Sequence, residues 1–294
     1  MKGFLSLLGA LWVLGAPVLS ADKLVTVLPA RPGPRDTFTT PLVHWQEVKK
    51  EPRPLHISCL MADLNSRETE ATAFIAPAPG VPKQAEAVLE EPEVLTARPG
   101  VIAAVNSNWF QALTASGSKK SGLTYDRGTP VHICGWAKDA THEASPKQTG
   151  FESFWTDPNG YGHIGNLGAP REARMAVAGQ GLLVRAGVCV AAAKEPIHPR
   201  TAVGLDSTGK VLWLVVVDGR KAGYSEGMSL AELAALMKEL GCWNALNLDG
   251  GGSSIMMLAT HGEKLEVVNH PSGSSERMIP VMLGIQRRAS RGTP

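Results

Sequence analysis

The chain has 294 residues, a formal net charge of +2 and 44% hydrophobic residues, so a sizeable folded core is affordable. Nearly balanced charge gives no footprint for a nucleic-acid partner.

The first residues read as an export signal. Lys2 precedes the apolar run Phe4–Gly15, followed by Pro17 and the small residues Ser20 and Ala21. The run is too short to span a bilayer comfortably. We expect a signal peptide over 1–21, a secreted or periplasmic location, and no stable membrane insertion once the signal is removed. Residues 22–54 are rich in Pro, Arg and Lys and read as a loosely structured or edge-hugging arm. The main domain is expected over 55–288, with a tail at 289–294.

Leu55–Met61 is the first convincing strand. Residues 76–99 mix Pro, Ala and Glu, with a short helix expected around Glu86–Leu89. Val101–Val105 has the composition of a buried strand and ends in Asn106-Ser-Asn-Trp-Phe110. Residues 111–175 read as loop-rich, apart from a hairpin at 154–164 turned by Pro158-Asn-Gly160. Leu182–Val184 is a strand. Ala202–Leu205 and Val211–Val217 form a second hairpin around Asp206-Ser-Thr-Gly209. Ser229-Leu-Ala-Glu232 is a capping box, and the helix it opens is expected to stop at Gly241. A strand at 245–248 follows, then strands at 255–259, 264–268 and 278–286.

Strand, helix and strand in that order predict a crossover that sets 211–217 parallel to 245–248. Asp218 and Asp249 then leave the same end of one sheet, where open sheets tend to place their sites. The expected fold is α+β, a single domain with a mixed, largely antiparallel sheet and few helices.

Asn247-Leu-Asp-Gly-Gly-Gly-Ser-Ser254 joins two apolar strands. It lacks the Lys and following helix of a phosphate-cradling loop, and the Gly-x-Ser-x-Gly order of a nucleophile elbow. On its residues alone it is either a tight turn or a place where backbone must lie close to something else. The cysteines Cys59, Cys134, Cys189 and Cys242 allow three pairings or free thiols, and their wide spacing does not suit zinc.

Six motifs can be read together: His198-Pro-Arg-Thr-Ala-Val-Gly204, Val215-Val-Val-Asp-Gly-Arg220, Gly227-Met-Ser-Leu-Ala-Glu-Leu-Ala234, Asn247–Ser254, Asn269-His-Pro-Ser272 and Glu276-Arg277. Together they resemble the phosphodiester glycosidase family over roughly residues 178–286. A weaker likeness extends upstream through Ala103–Asn106 and Gly122–Gly128. The family usually follows that Asn with two glycines and an aromatic pair. This chain has Ser107-Asn108-Trp109-Phe110, side chains expected to narrow a pocket.

The resemblance implies hydrolysis of a sugar–O–phosphate bond at the anomeric carbon. Such a reaction asks for a carboxylate near that carbon and cationic partners for the phosphate. Asp249, Asp218 and Glu276 are the expected catalytic acids. Arg200, Arg220 and Arg277 are the expected phosphate partners. Asn106, His198, Ser253, Ser254, Gly250 and Gly251 are expected to contact sugar or phosphate. No cofactor or metal is expected, and the partner is a glycan or sugar phosphate. Two alternatives stand beside this reading: an envelope protein that binds anionic glycans without catalysis, and a phosphatase or phosphodiesterase that cuts P–O. Each residue also has a plainer role, Asp218-Gly219 as a turn and Glu276-Arg277 as a solvated pair among them.

Overall fold

A computed structural model of the protein describes residues 23–33, 40–80, 82–114, 125–166, 172–192, 196–260, 262 and 264–288. The expected signal and tail lie outside these. The fold is mostly sheet with few helices, built from several largely antiparallel sheets.

The largest sheet has eight strands, in the order Val25–Leu28, Leu42–Lys49, Leu55–Asp63, Val211–Val217, Arg200–Leu205, Asn244–Asn247, Leu182–Arg185 and Val188–Cys189. Its central strands are buried on both faces. One face packs Val43, Ile57, Ala202, Val215 and Val217 against Leu233, Ala234 and Met237 of the helix Leu230–Glu239. The other face packs Leu60, Val203, Leu214, Leu246 and Leu248 against a five-stranded sheet containing Thr69–Ile75, Val101–Asn106, Met256–Leu258 and Val281–Arg287. Two smaller sheets lie outside this pair, one five-stranded around Met175–Gly179 and one three-stranded around Pro130–Ile133.

The capping box forms as its residues require. Ser229 Oγ accepts from the Glu232 N–H at 3.3 Å, and Glu232 Oε2 accepts from the Ser229 N–H at 2.9 Å. Gly241, at φ +97°, ends the helix region. The crossover runs as expected, with a difference. Arg200–Leu205 pairs antiparallel with both Val211–Val217 and Asn244–Asn247, so these two strands are parallel but not neighbours. Asp218 and Asp249 follow the same end of that sheet, from strands with one strand between them.

The described part of 22–54 hugs the edge of the large sheet, where Leu42–Lys49 pairs along its whole length with Leu55–Asp63. Leu42, Val43 and Trp45 are buried there, and this apolar pull outweighs the Pro- and Lys-rich flanks. Val25–Leu28 adds the outermost strand. The helix expected at Glu86–Leu89 is a short strand, Ala87–Val88, captured by Pro130–Ile133. A five-residue helix begins instead at Pro92, where a first-turn proline is tolerated. Cys59 and Cys242 are buried thiols and Cys189 is an exposed one, none of the three in a disulfide.

Candidate functional site

The site is organised by a strut. Asn106 is 1% exposed at the end of its strand. Its Oδ1 accepts from Thr201 Oγ1 at 2.7 Å and from the Ile255 N–H at 3.1 Å. Its Nδ2 donates to the Asp249 carbonyl at 2.5 Å. Asn106, expected to contact substrate, therefore has both its polar atoms engaged inside the protein. The Asp249 N–H donates to the Ser107 carbonyl at 2.8 Å. Both ends of the glycine run are thus fastened to one strand.

Asp249 is 8% exposed. Burial pushes its carboxyl up to about 6, opposed by a hydrogen bond from Ser253, the Arg277 guanidinium and the Gly250 N–H. Arg277 Nη1 donates to Ser253 Oγ at 3.3 Å, so the hydroxyl stands between cation and acid. The Arg277 guanidinium also lies 3.8 Å from the centre of the Tyr125 ring, a cation–π seat.

The three glycines have distinct reasons. A Cβ on Gly250 would stand 2.8 Å from the Pro199 carbonyl oxygen. Gly251 sits at φ +63°, where a Cβ would come within 3.0 Å of Arg220 Nη2. A Cβ on Gly252 would collide with the Arg277 guanidinium. Arg220 and Arg277 therefore lie directly over bare backbone. Arg220 itself adopts φ +60°, a left-handed conformation that side chains resist. Its Nη2 stands 3.4 Å from His198 Nδ1.

Asp218 occupies a different niche. Its carboxylate accepts from Asn269 Nδ2 at 2.8 Å, from the His270 N–H at 3.0 Å and from the Tyr224 hydroxyl at 3.3 Å. Burial raises its pKa, and these donors oppose the rise. Asn269 in turn donates to the Ser254 carbonyl and accepts from the Met256 N–H. Asp218 thus braces the loop below Asp249. Tyr224, itself pushed up to about 12 by burial and by Asp218, stacks on His56 at 3.8 Å.

Other expected residues are placed elsewhere. Arg200 shares its sheet face with Ala202, which packs toward the helix, while Thr201 reaches Asn106 on the other side. Its Nε donates to the Met228 carbonyl and its Nη2 to the Pro196 carbonyl. The guanidinium that acts on Asp249 belongs to Arg277 instead. Glu276 is exposed, and after burial the groups that raise its pKa are Glu93 and Glu91, not the acids of the glycine loop. Ser254 is buried with its Oγ unpartnered. Ser107 and Asn108 are turned into the protein. Both are buried, and Asn108 ties the Cys134 and Trp136 carbonyls to the Ala178 N–H. Tyr125 and Asn269 lie within the Gly122–Gly128 and Asn269–Ser272 motifs, whereas Tyr224 carries no local signal in the sequence. Among the described residues, no group of three or more His, Cys, Asp or Glu side chains is placed to hold a metal.

The family model for phosphodiester glycosidases matches residues 99–286. The chain belongs to the phosphodiester glycosidase family. The match starts well upstream of the glycine loop, so it includes the strand that carries Asn106. In fold, the chain is similar to the zebrafish N-acetylglucosamine-1-phosphodiester alpha-N-acetylglucosaminidase catalytic domain auto-inhibited by its pro-peptide. That likeness has a TM-score of 0.58 and 19% identity, and covers 84% of this chain and 82% of that one. A hypothetical protein from Synechocystis is similar at TM-score 0.52 and 13% identity, covering 85% and 64%. The SPbeta prophage-derived uncharacterized protein YomE of Bacillus subtilis (strain 168) is 38% identical over 82 residues. That match takes in 28% of this chain and spans only 12% of the length of that curated relative.

Proposed function

We propose that this phosphodiester glycosidase family member is an exported hydrolase that cleaves a sugar 1-phosphodiester at its glycosidic C–O bond. The observation that carries the reading is Asp249 beside bare glycine backbone, with the guanidiniums of Arg277 and Arg220 lying over Gly252 and Gly251. A buried carboxylate next to two planar cations suits a reaction in which positive charge develops at the anomeric carbon and negative charge on a departing phosphate. Asp249, ionised, supports attack at the anomeric carbon. The C–O bond breaks with its electrons passing to the phosphate oxygen, which Arg277 and Arg220 receive. The leaving group is a phosphomonoester whose second ionisation lies near about 6, so no strong general acid is needed. Water supplies the hydroxyl of the released sugar. Asp218 acts by position, holding Asn269 and through it the Ser254 carbonyl.

Export rests on the signal-like start of the sequence. Among the described residues, no helix is long and apolar enough to cross a membrane.

The test is turnover in oxygen-18 water across a panel of glycosyl 1-(methyl phosphate) diesters. The expected products are a reducing sugar carrying the label and unlabelled methyl phosphate. Label in the phosphate would mean P–O cleavage and overturn the reading, and so would saturable binding without any product across the panel.

A further inference from the structure

A wide cleft of about 850 Å³ is lined in part by Trp109, Gln148, Gln180, Arg185, Arg200 and Asn247. Two of its lining residues lie close along the chain to Asp249 or to its backbone partner. Asn247 precedes Asp249 by two residues, and Trp109 follows by two the Ser107 whose carbonyl accepts the Asp249 N–H. The space lies near the top of the range that holds drug-sized ligands, about 300–1,000 Å³, and so exceeds one pyranose ring.

The cleft wall contains an acceptor with nothing to accept from. Asn247 is 3% exposed, and its Nδ2 donates to the Gln180 carbonyl at 3.1 Å, which fixes the amide. Its Oδ1 is buried without a partner. Buried polar atoms are rarely left unpaired, and one on a cleft wall is explained by a donor that arrives with a ligand. The Gln180 side chain is exposed beside it, and the partly exposed Trp109 indole offers an apolar face. Amides for hydroxyl or acylamido groups and a flat ring for the C–H face of a sugar make a carbohydrate surface.

We propose that this cleft binds the glycone side of the substrate as a chain of linked sugars, with Asn247 Oδ1 accepting from a sugar hydroxyl or acylamido N–H. The assignment rests on the hydrolase reading above for its direction. The arginines take the phosphate on the Gly251–Gly252 side of Asp249, which leaves the Asn247 side for the sugar. The substrate class is then an oligosaccharide or polysaccharide ended by a phosphodiester, rather than a single sugar phosphate.

The experiment compares 1-(methyl phosphate) diesters of glucose, N-acetylglucosamine and mannose with those of maltotriose, chitotriose and mannotriose. A third set carries the trisaccharide beyond the phosphate. One trisaccharide glycone is expected to raise kcat/KM at least tenfold over its monosaccharide, mostly through KM, and the third set is expected to gain nothing. Free trisaccharide, without phosphate, is expected to bind the full chain by calorimetry, and Trp109→Ala or Asn247→Leu to weaken that binding about tenfold at a temperature where each variant is folded. Equal turnover of mono- and trisaccharide donors without binding of any free trisaccharide overturns the cleft and leaves the hydrolase standing. Binding of free trisaccharide without turnover of any donor does the reverse. A gain confined to the third set overturns the glycone assignment.

Discussion

Arg277 Nη1 donates to Ser253 Oγ at 3.3 Å, and through that hydroxyl a cation seated on Tyr125 is coupled to the buried Asp249 carboxyl. The pair explains how an acid so enclosed titrates near the neutral range instead of staying protonated. Burial raises its pKa, while Arg277 and Ser253 pull it back to about 6.

Removing that cation makes the acid harder to ionise. In Arg277→Gln the acid limb of the kcat/KM–pH profile, expected near pH 6 in the parent, moves to higher pH. On the proposed reading, in which Arg277 receives the phosphate, the variant also lowers kcat/KM on the order of a hundredfold. Rate profiles from pH 4.5 to 9 check both, and an unmoved limb would disprove the coupling.

Asp249→Asn is expected to abolish turnover and to stabilise the fold at neutral pH. The folded-state pKa of about 6 lies above the ordinary 3.8. Between these values the folded chain keeps a proton the unfolded chain has lost, so this group's contribution to stability falls as pH rises and stays low above 6. The gain in the variant at pH 8 is at most about 3 kcal/mol, and it shrinks toward pH 4. Denaturant titrations at pH 4, 6 and 8 measure it.

His44 works in the opposite sense. It is buried, neither ring nitrogen has a partner, and burial lowers its pKa from 6.5 to about 4. Between those values the unfolded chain binds the extra proton, so stability is lost as pH falls from 6.5 toward 4. His44→Leu is expected to remove that acid sensitivity, with a gain of up to about 3 kcal/mol near pH 4. An unchanged acid-unfolding midpoint would count against it.

Gly252→Ala places a methyl group where the Arg277 guanidinium lies. We expect a folded protein with the kinetic signature of Arg277→Gln, including the shifted acid limb. Thermal unfolding within a few degrees of the parent, together with the pH profile, distinguishes displacement of Arg277 from general damage.

Arg220→Gly relieves a left-handed backbone at φ +60° while deleting a cation. Stability is expected to hold or rise by about 1 kcal/mol, and KM for a phosphodiester to rise about tenfold. Arg220→Ala is expected to share the kinetic loss without the stability gain. Matching stabilities for the two variants would show that the backbone is not strained.

Much of the frame was legible because it rests on local rules. The capping box at Ser229–Glu232 and the turn at Asp206–Gly209 each specify their own backbone, and the connection rule then gave the parallel pair. What local rules did not show was that the expected Ala202–Leu205 strand lies between that pair, or which way a side chain faces from it. Arg200 and Thr201 are adjacent in sequence and lie on opposite faces, so the guanidinium expected at the acid points toward the helix side. Leu42–Lys49 was hidden for a related reason. Its buried residues make sense only with Leu55–Asp63 beside them. The glycine run showed a backbone in close quarters, but only the fold shows that Arg220 and Arg277 crowd it.

Asn106 fastens partners 95, 143 and 149 positions away along the chain. Contacts of such long sequence separation close late and slowly, after more local pairings have formed. A ribosome-bound chain that stops short of Ile255 has no means to set the Asp249 turn, however well its earlier strands have paired. On the proposed reading, catalytic competence therefore arrives in a single late step during maturation, and no amino-terminal fragment possesses a diluted share of it.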